Sequence, residues 1–219
     1  VGKTKLDMMA VPMAAILIGG VAGAGLAAVI TPLLNSISAE ITLAVQGYPL
    51  VGSMVIALVW SILLMTPASS AALAIALLDP VSSAAALIGC TVQFVGFTAM
   101  SRRENDLGGF LAQAIVTPKV QFPNLIKNPR LVIPPFVAAI VCAPIATLVF
   151  DLQVPYELGG MGLSSLIAPI SILTNQGLNV FLIYVAIGMV LPIIITLVLH
   201  QALKTFGWTK IGDLHMKVQ

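Results

Sequence analysis

Residues 178–199 read LNVFLIYVAIGMVLPIIITLVL and contain no charged side chain. A transmembrane helix needs about 20 consecutive, predominantly apolar residues, and this stretch meets that requirement. Four further runs of the chain are also long and apolar enough to cross a bilayer: residues 8–34, 50–66, 81–100 and 131–150. The sequence therefore predicts an all-α, polytopic membrane protein with five clear spans plus short or re-entrant helices.

Composition excludes a soluble domain. The chain has 219 residues, of which 59% are hydrophobic and 8% are charged, and its mean hydropathy is +1.07. Soluble domains carry about 25% charged residues, so the charge needed to cover a water-facing surface is missing. Long unbroken apolar runs indicate helices rather than the alternating strands of a membrane barrel. The net charge of +2 is too small to indicate nucleic-acid binding.

Two apolar segments differ from ordinary spans. Residues 67–78 follow Thr66, a residue typical of a helix N-cap, and the Asp79-Pro80 pair should end the helix that they form. That helix is short enough to be either a thin span or one arm of a re-entrant hairpin. Residues 159–176 are rich in Gly, Ser and Pro, so this segment too could enter the membrane and return to the same side.

The basic residues predict the orientation. All ten Lys and Arg residues fall in three regions, and by the positive-inside rule these regions are cytoplasmic. Each of the spans at 8–34, 50–66, 131–150 and 178–199 crosses the membrane once, and residues 67–100 cross it an even number of times. All three basic regions then lie on the same side of the membrane. The regions contain Lys3 and Lys5; Arg102, Arg103, Lys119, Lys127 and Arg130; and Lys204, Lys210 and Lys217.

Two domain-level expectations follow from the order of these segments. Residues 1–200 form one transmembrane domain, and residues 201–219 form a cytoplasmic C-terminal tail. Because the sequence opens on Val1 and a short polar stretch, it resembles neither a translation start nor a signal peptide. We expect the chain to be a piece of a longer protein, trimmed or processed upstream.

Four polar residues are candidates for binding a small solute: Gln93, Glu104, Asn105 and Asn124. Gln93 is the one amide in the run 81–100, and a buried amide there either bonds a neighbouring helix or contacts a solute. Glu104 and Asn105 belong to a dense polar group that either forms a solvated turn or lines a cavity. Asn124 lies between two prolines and could fold back under the bundle.

The remaining candidate residues favour structural roles. Cys90 and Cys142 lie in apolar runs and are expected to be packing residues, and His200 is expected at the membrane interface. Stripes of small residues, such as Gly89 and Gly96, favour close helix packing. The sequence contains no motif of soluble catalysis or phosphate binding, so we expect no catalytic residue, metal or cofactor.

Ordered, widely spaced motifs are spread over nearly the whole chain, including its polar centre, residues 101–130. They are Gly2-Lys3-Thr4-Lys5, Thr66-Pro67-Ala68-Ser69-Ser70-Ala71, Ser101-Arg102-Arg103-Glu104-Asn105, Gly108-Gly109, Pro123-Asn124-Leu125-Ile126-Lys127-Asn128-Pro129-Arg130, Ile133-Pro134-Pro135, and Gly207-Trp208 with Gly212-Asp213. Together these motifs resemble the EIIC-like membrane family of the phosphotransferase system, the type 2 EIIC family that includes the perfringolysin O regulator.

This resemblance implies a permease component of the bacterial cytoplasmic membrane that binds and translocates a small polar solute, expected to be a sugar. The chain has no phosphoryl-accepting EIIA or EIIB domain, so phosphate would come from separate cytoplasmic proteins. It also lacks the Gly-Ile-Thr-Glu type of motif whose Glu serves the sugar site in other EIIC proteins. Further expected partners are membrane lipids and a second copy of the chain. Members of the family are longer at the N-terminus, so the resemblance also implies a missing N-terminal segment of the same protein, with further spans. The alternatives are a sensor or regulator that keeps the scaffold without transport, and a lipid-binding structural protein.

Overall fold

The computed structural model describes residues 13–25, 47–67, 69–74, 77 and 79–216, together with positions 32, 36, 40 and 43. These residues form helices and no strand, which confirms the all-α prediction. The α-helices are α1 (Met13–Gly25), α2 (Pro49–Met65), α3 (Ser70–Leu73), α4 (Pro80–Ser101), α5 (Leu107–Leu111), α6 (Phe122–Lys127), α7 (Ile133–Pro144), α8 (Tyr156–Gly159), α9 (Ile167–Gln176), α10 (Leu178–Val185) and α11 (Leu191–Thr205).

Within the described residues, three continuous helical segments are long and apolar enough to cross a membrane: Pro80–Ser101, Pro129–Val149 and Leu178–Thr205. The last two are continuous because π-helical turns extend α7 and join α10 to α11. The five predicted spans are not all confirmed. Helix α2 has 17 residues, or about 26 Å of helix against a hydrocarbon core of about 30 Å. Of the predicted span 8–34, the structure describes α1 and one further position.

Helix α4 is the centre of the core, and 89% of its most apolar 18-residue stretch is buried. It packs against α2 and α7, and Gly89 permits the closest approach. A Cβ at Gly89 would lie 2.8 Å from the Cα of Ala57 on α2, which is well inside contact distance. The Ser61 hydroxyl donates to the Gly89 carbonyl at 2.9 Å. The packing role predicted for Gly89 is confirmed.

Capping residues fix where the helices of the polar centre begin. Asp106 accepts a hydrogen bond from the Gly109 amide at 2.8 Å, and the helix that it caps runs through Val116 and ends before Pro118. The predicted helix start at Thr66 is wrong. The Thr66 hydroxyl donates to the Leu63 carbonyl at the end of α2, and Ser69 caps the four-residue α3 instead.

The segment from 153 to 176 doubles back on itself. It runs along α4 through the short α8, and just beyond that helix Gly162 has a φ of +57° and its α-carbon faces the Phe94 ring. The chain reverses at Ser165 and Leu166, both of which adopt the left-handed conformation. Helix α9 then returns until the Gln176 side chain donates to the Gln153 carbonyl at 3.0 Å. The two ends of this hairpin are therefore adjacent.

Candidate functional site: a cavity between two long helices

A cavity of about 790 Å³ lies between the C-terminal half of α4 and α11. Two shorter pieces close its sides: the α5 arm, which we define as residues 107–116, and the hairpin over residues 153–176. Its walls are mostly apolar and are formed by Val95, Ala99, Met100, Phe110, Ala114, Leu163, Met189, Ile193, Leu197 and Ile211. The cavity is thus bounded by two continuous helices and two interrupted segments.

One end of the cavity is charged. Arg102, Arg103 and Glu104 follow the last turn of α4, and Lys204 lies in the last turn of α11. We call this the basic end. Three cations at two helix C-termini complement the partial negative charge of those termini. The Lys204 amine lies 3.9 Å from a Glu104 oxygen, and the Glu104 side chain is only 5% exposed.

Among the described residues, two polar side chains in the cavity wall are buried without a hydrogen-bond partner. Thr98 on α4 is 7% exposed and its hydroxyl has no hydrogen bond, while His200 on α11 is 5% exposed and both its ring nitrogens lack one. Buried polar groups in proteins are nearly always hydrogen-bonded. These atoms therefore provide unused hydrogen-bonding capacity beside the cavity.

Three of the four predicted site residues converge, and they do so on the C-terminal strap, which we define as residues 207–216. Glu104 Oε2 accepts from the Leu214 amide at 2.9 Å. Asn105 accepts from the Met216 amide at 2.8 Å and donates to the Leu214 carbonyl at 3.0 Å. Asn124 donates to the carbonyl of His215 at 3.1 Å. Of these three, only Glu104 also lines the cavity.

A chain of buried amides connects the end of α4 to the strap. The Gln113 amide donates to the Ser101 hydroxyl at 3.0 Å, and Gln121 donates to Gln113 at 2.8 Å and to the Leu214 carbonyl at 3.0 Å. Asn124 in turn donates to Gln121 at 2.8 Å. The polar centre of the sequence is thus one connected network rather than a solvated turn.

Further motif residues hold the other half of the strap. Asn128 donates to the Trp208 carbonyl at 3.0 Å and to the Asp213 carboxylate at 2.9 Å. The guanidinium carbon of Arg130 lies 4.9 Å from the centre of the Trp208 ring, within range of a cation–π interaction. The strap therefore interacts with the polar centre along most of its length.

Gln93 is separate from this group. It is fully buried between α4 and α7, where its nitrogen lies 3.5 Å from the Pro135 carbonyl and its oxygen has no partner. The bond to a neighbouring helix is the structural alternative raised for it from the sequence. Gln93 does not line the cavity.

Lys119 connects the polar centre to α2. Its amine donates to the Thr66 carbonyl at 2.7 Å, and partial burial lowers the pKa of this amine below its usual range. Within the described residues, no group of three or more His, Cys, Asp or Glu side chains could hold a metal ion.

Sequence reasoning missed Thr98 and His200. Each lies one helical turn before a charged residue of the basic end, Thr98 before Arg102 and His200 before Lys204. That spacing of four residues puts both members of each pair on one helix face. This four-residue spacing indicates that the polar end of each helix extends one turn further into the apolar run.

Comparison with known proteins decides the family. The family model described as "Phosphotransferase system, EIIC" matches residues 1–216 of the chain. The chain belongs to the phosphotransferase-system EIIC family. Comparison with curated proteins and with solved structures gave no match. As an EIIC-family chain with long apolar helices, it is a membrane protein, and its family is that of sugar-transport components.

Proposed function

We propose that this EIIC chain binds a small polar solute, a sugar, in the cavity between α4 and α11 and moves it across a bacterial cytoplasmic membrane. The observation that carries the proposal is the cavity itself, with apolar walls, three polar wall residues (Thr98, His200 and Gln201) and a charged end. Its volume of about 790 Å³ falls in the range of about 300–1,000 Å³ typical of small-molecule sites. A small number of precisely placed polar groups in an apolar wall is also typical of such sites.

Glu104 is the proposed solute contact at the charged end. Its buried carboxylate can only accept hydrogen bonds, and a sugar hydroxyl is a suitable donor. The nearby Lys204 amine holds that carboxylate at 3.9 Å and can itself donate to a solute oxygen. Solute binding by Asn105, Asn124 and Gln93 stays a prediction, and for the two asparagines we favour a positioning role through the strap.

The basic end is the proposed cytoplasmic end. Arg102, Arg103 and Lys204 lie there together, as the positive-inside rule requires of cytoplasmic residues. A separate phosphorylated cytoplasmic protein, of the EIIB type and itself supplied by EIIA, would approach this end. The phosphoryl group would leave the partner's phosphorylated side chain and bond to a solute hydroxyl oxygen, which gives up its proton. Assembly with a second copy of the chain also stays a prediction.

The hairpin over 153–176 is proposed to be re-entrant. Support comes from the contact between Gln153 and Gln176 at its two ends, and from its tip, where the Ser164 hydroxyl lies 3.4 Å from the Val116 carbonyl. The tip thus meets the end of the α5 arm beside the cavity. Interrupted backbone at membrane depth is tolerated where it is buried in protein or lines a cavity.

Uptake of radiolabelled sugars by bacterial cells expressing the protein, with and without the phosphotransferase partner proteins, tests the function. We expect uptake of at least one sugar that requires those partners, and a loss of about threefold or more in Glu104→Gln. Glu157→Gln is the matched control, because Glu157 is an exposed carboxylate at the other end of the fold. A protein that is inserted in the membrane but transports no sugar would favour the sensor or structural alternatives.

A further inference from the structure

We infer that Thr98 and His200 are the solute-binding residues of the cavity wall one helical turn inside the basic end, and that they recognise hydroxyl groups. This inference rests on the proposed function, since it assigns residues to the same cavity. The inference goes beyond the proposed function by specifying which end of the solute binds Thr98 and His200 and which end faces the basic end. Neither residue belongs to the polar centre that carries the family resemblance.

The first step of the argument is the burial of these two groups. Thr98 and His200 are 7% and 5% exposed, and three of their polar atoms, one hydroxyl oxygen and two ring nitrogens, have no hydrogen-bond partner. Leaving such atoms unsatisfied in a buried site is costly. A ligand that supplies the missing hydrogen bonds would therefore gain binding free energy.

The second step is their common direction. Both residues line the same cavity, one from α4 and one from α11, whereas the equally buried Thr196 hydroxyl, also without a partner, does not line it. Thr98 and His200 thus combine unsatisfied polar atoms with positions on facing helices that line one open space. Tight helix packing alone would leave no such space between them.

The third step is the chemistry of the pair. A threonine hydroxyl donates one hydrogen bond and accepts others, and a neutral imidazole donates from one nitrogen and accepts at the other. A compound with several neighbouring hydroxyls matches all these groups, because each hydroxyl can both donate and accept. An anion would leave the acceptor nitrogen without a donor. The pair therefore selects a polyhydroxyl end of the solute.

The geometry also orients the solute. Lys204 lies one helical turn beyond His200, and Arg102 lies one turn beyond Thr98. With a polyhydroxyl end bound at Thr98 and His200, the opposite end of the solute faces the basic end. That is the end where the cations could stabilise an arriving phosphoryl group.

Equilibrium binding of radiolabelled D-glucose, D-mannitol and N-acetyl-D-glucosamine to the full chain, purified in detergent, tests this inference. We expect Thr98→Val and His200→Leu each to weaken binding of the recognised sugar by about three- to tenfold, the effect of losing one or two hydrogen bonds. His200→Gln, which keeps one donor and one acceptor, should recover part of the loss. Thr196→Val is the matched control and should bind like the wild type.

The outcomes separate this inference from the function on which it rests. Wild-type affinity in both Thr98→Val and His200→Leu would overturn the inference and leave the proposed function intact, and so would an equal loss in Thr196→Val. A wild-type protein that binds none of the three sugars would overturn both. Because His200→Gln and Thr98→Val are nearly isosteric changes, a monodisperse elution profile for each shows that lost affinity is not lost folding.

Discussion

The strap offers the prediction with the clearest magnitude, and the residue to change is Leu214. Its side chain is fully buried in a small cluster with Met65, Phe97, Met100, Leu125 and Leu131. Truncating a buried leucine to alanine costs about 2–5 kcal/mol, which includes both lost burial and the cavity left behind. Leu214→Ala should therefore weaken docking of the strap by that amount.

Hydrogen–deuterium exchange of the peptide that spans the strap measures this effect directly. The amides of Leu214 and Met216 are bonded to Glu104 and Asn105, so they exchange only when the strap opens. A loss of about 2 kcal/mol raises the open population about 25-fold or more, and exchange should accelerate accordingly. Because Ile211 is 87% exposed, Ile211→Ala in the same strap is the matched control and should leave exchange unchanged.

Two results would refute this reasoning. Exchange at wild-type rates in Leu214→Ala would mean that the buried leucine does not hold the strap in place. Equal acceleration in Ile211→Ala would mean that the strap responds to any truncation, and that the contacts with the polar centre do not define its position.

Two further predictions concern packing and topology. Gly89→Ala should lower the melting temperature of the detergent-purified protein markedly, because the new Cβ meets the backbone of a neighbouring helix, whereas Gly108→Ala, with nothing closer than 3.7 Å, should not; equal melting temperatures would contradict the close packing. In a cysteine-free background, single cysteines at the exposed positions Gln153 and Gln176 should both react with an impermeant thiol reagent added outside the cell, and one at Arg103 should not. Reaction at Arg103, or at only one hairpin end, would contradict the proposed topology.

The fold was largely accessible from the sequence because its signals are local. Helix α4 could be predicted from an apolar run that follows the Asp79-Pro80 pair, and the structure shows Asp79 capping it at 2.8 Å. The α5 arm likewise follows from Asp106 and Pro118. The start of α3 could not be predicted, since Thr66 and Ser69 are equally suitable caps and only the end of α2 decides between them.

The site was accessible only in part, because its partners are distant in the sequence. The sequence offers Glu104, Asn105 and Asn124 as polar site candidates. It does not show that each of them bonds to backbone atoms of residues 214–216, about 90 to 110 positions further along. No local pattern reveals such a contact. His200 was missed because a lone histidine at the end of an apolar run carries no information about whether its nitrogens find partners.

Binding of a sugar to a protein whose cavity has been filled tests the central claim, that the cavity between α4 and α11 is the solute site. Leu197 lines the cavity, whereas the adjacent Val198 is 64% exposed and does not line it. We predict that Leu197→Trp abolishes equilibrium binding of the sugar that the wild type recognises, while Val198→Trp binds it normally. Undiminished binding in a well-folded Leu197→Trp protein would contradict the account.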